Sequence, residues 1–262
     1  MQMSKWRDYA ERLLVLVVIL GGWEGACRGF DVPKIVLPPP SLVAKRLWQE
    51  LIDPTFYPHL GTTLAELLLG FGIGLVCGLA LGVAVALVPV VHRLIYPYIV
   101  AFQTLPKVAI APLFVIWFGY GMTSKVVTTA LVAFFPMLVN VITGFQSVDT
   151  DQVDMMRAFH ATDWQIFRKL RLPSALPLIF AGTEIAVVFS VIGAVVGEFV
   201  GAQKGLGYLI TVWNFKLDIA GVFAILLVLG AVGMIFHAVI VWLSNRVVFW
   251  QGKNRENQIV GI

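Results

Sequence analysis

Charge is what this sequence has least of: Asp, Glu, Lys and Arg together make up 13% of its 262 residues, against roughly 25% in an ordinary soluble domain. With 59% hydrophobic residues beside it, that deficit excludes a normal water-solvated surface and points to an integral membrane protein, which its long apolar runs make all-α. Cysteine is nearly absent, and Cys27 and Cys77 sit at the edge of or inside apolar runs, which excludes a disulfide framework. His59, His92 and His237 have no metal-ligand spacing, so no metal site is expected. The chain has no Gly-x-x-x-x-Gly-Lys-[Ser/Thr] phosphate loop, no Gly-x-Ser-x-Gly elbow and no Ser/His or Cys/His constellation. It is therefore read as a non-enzyme that binds no cofactor of its own. No basic run is interleaved with stacking aromatics, so nucleic acid is not an expected partner.

What the sequence does have is long apolar runs. A helix needs about 20 apolar residues to cross a bilayer core of about 30 Å. Five runs meet that length: 64–91, 98–118, 126–145, 178–200 and 219–243. A shorter sixth, Leu13 to Ala26, carries Glu24 and follows Lys5, Arg7 and Arg12. It has no Ala-x-Ala-like cleavage site and is read as a first span rather than a signal sequence. With six spans and the N-terminus inside, eleven Lys and Arg fall in inside segments and seven outside, which favours both termini in the cytoplasm. That count places Lys125 in an outer loop.

Gly70, Gly74, Gly78 and Gly82 recur every fourth residue in the second span, and Gly193, Gly197 and Gly201 repeat the spacing in the fifth. Such small-residue ridges let helix backbones approach closely in lipid, so both spans are expected to be buried in protein. Between the fourth and fifth spans lies the longest inside connection. Met155, Ala158 and Phe159 make one apolar stripe and Ile166, Phe167 and Leu170 another, which implies two short helices. Thr162 and Gln165 form a Thr-x-x-Gln capping box at the start of the second, Asp163 and the cations Arg168, Lys169 and Arg171 suit its dipole, and Leu172-Pro173 is expected to stop it. Acidic Asp149, Asp151, Asp154 and Asp163 would be repelled by anionic lipid, so the segment reads as a docking element for a soluble partner rather than an interfacial anchor.

The stretch "DMMRAFHATDWQIFRKLRLPSALP" resembles the EAA loop of permease subunits of bacterial ATP-binding-cassette importers. Asp154 stands at that motif's Glu, Met155 and Met156 at its two Ala, His160 at its Gly, Leu170 at its Ile and Leu172-Pro173 at its closing pair. "LPPPSLV", "QTLPKVAIAPLFVIWFGYG", "FFPMLVNVITGFQSVD" and "VVGEFVGAQKGLGYLI" extend the similarity to the nitrate/sulfonate/taurine branch over nearly the whole chain. The resemblance implies a type I importer bundle of six transmembrane helices in the bacterial inner membrane. Its segments would be 1–60 (tail, first span and external segment), 61–250 (permease domain, with the EAA-like loop at 151–173) and 251–262 (cytoplasmic tail). It also implies that Asp154, Met155, Met156, His160, Ala161, Thr162, Asp163, Trp164, Leu172 and Pro173 dock in a groove of an ATPase subunit that binds ATP and Mg. A second permease copy, forming a homodimer, and an extracytoplasmic solute-binding protein complete the implied assembly.

Polar residues inside spans are expensive in lipid and are functional candidates for that reason. Gln103, Thr104 and Lys107 share one face of the third span, with Pro106 and Pro112 loosening the backbone. Lys107 is read either as a counter-charge for an anionic solute or as a partner of Glu184. Glu198 is read as a gate or as a cap for the "KGLGYLI" loop, and Asn140 as a helix-to-helix hydrogen bond or a pathway residue. The solute would be small and anionic or heterocyclic. The alternative is a stand-alone ion-coupled secondary transporter using Glu184, Glu198 and Lys107; it lacks the internal repeat common in such proteins and leaves the capped inside helix unexplained.

Overall fold

The computed structural model describes residues 2–250, and every described element is helical. The tail 251–262, with Lys253 and Arg255, and the side chains of Lys5, Arg7 and Arg12 lie outside the described residues. In chain order the helices are α1 (Gln2–Gly29), α2 (Pro40–Ile52), α3 (Phe56–Leu87), α4 (Pro89–Gln103), α5 (Ala111–Phe118), α6 (Met122–Gln146), α7 (Thr150–Ala158), α8 (Asp163–Ile166), α9 (Leu172–Gly201), α10 (Leu206–Phe215) and α11 (Ile219–Val247). Four continuous helices, at Phe56–Leu87, Met122–Gln146, Asp163–Gly201 and Ile219–Val247, are long and apolar enough to cross a bilayer. The apolar part of α1 shows its side chains from Leu13 to Leu20 outward, as a helix against lipid does.

The two glycine ridges meet one helix from different sides. A Cβ on Gly74 would stand 2.6 Å from the Ala130 carbonyl, one on Gly78 2.9 Å from Phe134 O, and one on Gly193 2.9 Å from Thr129 Cα. Both ridges thus bring backbone onto α6. The expectation that the ridge-bearing spans are themselves the buried ones is corrected: α6 is the most enclosed span, with 56% of its apolar window buried against 33% for α3 and 39% for the Asp163–Gly201 helix. Glycine makes the surface that is packed against, and the helix received by two such surfaces becomes the core.

Two further expectations fail for backbone reasons. The run 98–118 is not one straight span: α4 ends at Gln103, a 3₁₀ turn follows at Lys107–Ile110, and the two limbs are bent by 88°. Leu105 precedes Pro106 and so avoids helical angles, while Pro112 starts a fresh helix in the first turn of α5. Leu172-Pro173 does not stop the second loop helix either. Phe167–Arg171 forms a π-helical turn in which the Leu172 N–H donates to Phe167 O, and the helix runs on from Asp163 to Gly201. The extra residue in that turn shifts the Lys169 carbonyl that a proline ring would otherwise strike.

At the end opposite α7 and α8, Glu24 ties α1 to α2 by accepting from the Ser41 N–H (3.0 Å) and Ser41 Oγ (2.8 Å). Arg46 ties α2 to the start of α11 through Asp218 (2.8 Å), and also pairs with Glu50 (2.9 Å) and lies over the Trp213 ring (4.3 Å).

Candidate coupling surface and translocation pathway

Helix α7 starts on the Asp149 side chain, which accepts from the Asp151 N–H. It ends in a Schellman motif: His160 N–H donates to Arg157 O (2.9 Å) and Ala161 N–H to Met156 O (3.0 Å). That motif requires a left-handed residue after the helix, and His160 supplies it with φ of +56°. A side chain there costs about 1–2 kcal/mol relative to glycine. Helix α8 then begins with the full capping box: Gln165 N–H donates to Thr162 Oγ1 (3.3 Å), and Thr162 N–H to Gln165 Oε1 (2.8 Å).

The motif turns apolar side chains away from the bundle. Phe159 is 80% exposed, Trp164 66% and Met155 56%, around Asp154, Thr162 and Asp163, which are exposed as well. Met156 and Ala161 are half-buried, as are Leu172 and Pro173 further up the helix. Inward, Ile166 is buried, and Trp164, Phe167 and Phe145 form a run of stacked rings with centroids 5.5 and 5.8 Å apart. The exposed Trp164 is therefore joined by ring contact to α6. A cleft of about 620 Å³ beside it is lined by Leu87, Pro89, Arg157, Trp164, Phe167 and Arg171, so the α3–α4 connection reaches the same end.

In the broken third span, Gln103 and Thr104 are exposed and Lys107 is half-buried. Its ammonium donates to Gln103 O (2.8 Å) and lies 4.6 Å from the centre of the Phe135 ring on α6. Asn140 does not reach across helices to bond; its Nδ2 donates to Pro136 O of its own helix, beside Gly182. Glu184 is half-buried on α9.

Glu198 is enclosed rather than lining an open route. It accepts from Thr63 Oγ1 (2.6 Å), from the Gly207 N–H and from the Tyr208 N–H (3.4 Å), capping the start of α10. Gly205 has φ of +118°, and a Cβ there would fall 2.2 Å from the Glu198 carboxyl carbon, so only glycine lets the loop pass. Residues the sequence reading passed over complete this junction. Lys125 is not in an outer loop: it is 2% exposed inside α6, donating to Tyr120 O, to Gly121 O (3.0 Å) and to Gly201 O (3.0 Å). Glu66 is equally buried beside Glu198. Glu66 was the one charge in an otherwise apolar run, a signal of the kind applied to Lys107.

The described helices thus comprise a broken third span, a twice-ridged α6 and an exposed loop helix joined to that core. Residues 70–249 match the family model described as binding-protein-dependent transport system inner membrane component. The chain belongs to that family. It is a permease subunit of an ATP-binding-cassette importer. Among similar permeases, the formylaminopyrimidine transport permease protein ThiX of Halalkalibacterium halodurans is 38% identical over 240 residues, covering 92% of this chain and 94% of the relative. The riboflavin transport system permease protein RibX of Chloroflexus aurantiacus is 34% identical, covering 92% and 90%. The taurine transport system permease protein TauC of Escherichia coli is 28% identical, covering 95% and 94%. The solved structure of the MetNI methionine ABC transporter in an inward-facing form shares the fold, with a TM-score of 0.58 at 22% identity over 81% of this chain and 97% of that one.

Proposed function

We propose that this permease carries a small heterocyclic solute, of pyrimidine or flavin-precursor type, and takes its driving force from a separate ATPase subunit seated on α7 and α8. The observation that carries the docking is the turn at His160, which holds Phe159, Trp164 and Met155 out of the bundle. Exposed aromatics at a rigid turn suit a preformed groove, because little side-chain entropy is lost on seating them. The ATPase binds ATP and Mg, a second copy of this chain completes the pathway, and a solute-binding protein delivers from the opposite side, so that the α7–α8 end and both termini are cytoplasmic. Closure of the ATPase pair shifts the equilibrium of the bundle only through contacts that differ between its states. The Trp164–Phe167–Phe145 ring run is the direct route from the docked turn to α6.

Support for a heterocyclic solute comes from the relatives named for formylaminopyrimidine and riboflavin, which are more similar to this chain than the taurine permease. The exposed Phe102, Gln103 and Thr104 at the break, with Lys107 behind them, offer ring and hydrogen-bonding contacts to such a solute. The test is uptake into proteoliposomes holding the complete complex, with ATP inside and candidate solutes presented on their binding proteins. Uptake of a pyrimidine or flavin precursor is expected, with Lys107→Gln lowering it less than it lowers uptake of a sulfonate. Uptake of taurine or nitrate alone would reassign the solute, and transport driven by an ion gradient without ATP would remove the ATPase from the mechanism.

A further inference from the structure

Glu66 and Glu198 are each 2% exposed, and their carboxyl groups lie within hydrogen-bonding reach of one another. Two carboxylates are acceptors only, so a hydrogen bond between them needs a proton. The surrounding donors say where it resides. Glu198 accepts from Thr63 Oγ1, Gly207 N–H and Tyr208 N–H, a set that suits a carboxylate. Glu66 has no described donor, and its Oε2 is buried without a partner, which suits the neutral acid.

Charge counting gives the same answer. Among the described residues, Lys125 on α6 is the cation that faces both carboxyls. With both carboxyls ionised the cluster would carry one uncompensated negative charge away from water; with one proton it is neutral, and buried charge persists only when it is paired. The other titratable groups around the junction add nothing that would replace the proton. His59 on α3 accepts the Gly205 N–H at Nδ1 (3.1 Å), so that nitrogen carries no hydrogen, and its ring stacks on Tyr208 of α10 at 5.7 Å. Tyr120 contributes its carbonyl to Lys125, and Lys204 lies in the exposed loop ahead of α10.

We propose that Glu66 and Glu198 form a proton-binding site, in which one proton taken from water resides on Glu66, is donated to Glu198 and closes the junction of α3, α6, α9 and α10. The proton is held, not transported: it completes a polar cluster whose remaining donors already point at Glu198. Losing it sets two like charges against each other and opens the contact between α3 and the start of α10, so the permease loses thermal stability as pH rises.

The test is infrared spectroscopy of the permease in its assembled complex in lipid nanodiscs, reading the carbonyl stretch of protonated carboxyl groups shielded from exchange with heavy water. Wild type shows one such group assigned to the pair; Glu66→Gln removes it and Glu184→Gln does not. Because a glutamine amide donates to Glu198 in the proton's place, Glu66→Gln unfolds at the wild-type temperature near neutral pH and shows a smaller alkaline fall than wild type. Lys125→Met, which removes the cation, raises the number of protonated groups from one to two. A wild-type spectrum with no protected carboxyl overturns the site even if every variant fails to assemble. An unchanged band in Glu66→Gln, or an equal alkaline fall in both proteins, overturns it as well.

Discussion

The two ends of the bundle are built in opposite ways. At the α7–α8 end, large apolar side chains face outward: Phe159 is 80% exposed, and the turn that presents it is shaped by backbone bonds and a capping box. At the other end polar side chains face inward: Glu66, Glu198, Lys125 and Thr63 are all at most 2% exposed and are bonded to backbone or to one another. One end turns apolar side chains outward, and the other gathers polar side chains inside the bundle. The first should therefore tolerate substitution without unfolding but not without loss of coupling. The second should fail first in stability.

Four substitutions sharpen that contrast. Ala161→Asp, in the turn between α7 and α8, is expected to abolish ATP-driven uptake and ATPase co-purification while leaving the melting temperature of the permease alone unchanged; loss of folding instead would show the turn to be structural. Glu198→Ala leaves Lys125 and the Gly207 N–H without the carboxylate, and breaking a buried charged cluster of this kind costs roughly 3–5 kcal/mol, read as a large fall in thermal unfolding temperature. Gly74→Val forces a Cβ against the Ala130 carbonyl, 2.6 Å away, and overpacking of this sort costs about 1–3 kcal/mol; unfolding should respond, with docking retained in the fraction that folds. Glu50→Gln should do least. Burial pushes the Glu50 carboxyl up, the Arg46 guanidinium only partly opposes it, and Arg46 keeps Asp218. A raised carboxyl contributes stability that is lost as pH rises through its folded value, so Glu50→Gln should flatten that slope without changing transport.

The local structure of the α7–α8 end was largely legible from sequence because its determinants are local. Thr162 and Gln165 are three residues apart, His160 sits where a Schellman turn wants a left-handed residue, and the two apolar stripes belong to α7 and to α8 with its π turn. The error there came from the backbone, since a π turn lets Pro173 follow inside one helix; in the third span, Gln103, Thr104 and Lys107 are too few to lower the hydropathy of the run 98–118 and so mark the 88° bend. The opposite end was harder to read. Thr63 meets Glu198 across 135 residues, a pairing no local pattern encodes. Lys125, one residue outside an apolar run, looked solvated when its carbonyl partners come from Tyr120, Gly121 and Gly201. The glycine ridges pointed to close packing but not to α6 as the helix both ridges would enclose.

The most direct measurement places a photo-crosslinking amino acid at Phe159 and, separately, at Phe215, which is 83% exposed at the end of α10, in the complex assembled in membranes with its ATPase and binding protein. Crosslinks from position 159 to the ATPase, and from position 215 to the solute-binding protein but never to the ATPase, are the expected result. A permease crosslinked to the ATPase from position 215, or from neither position in a complex that transports, would contradict the assignment of the two ends.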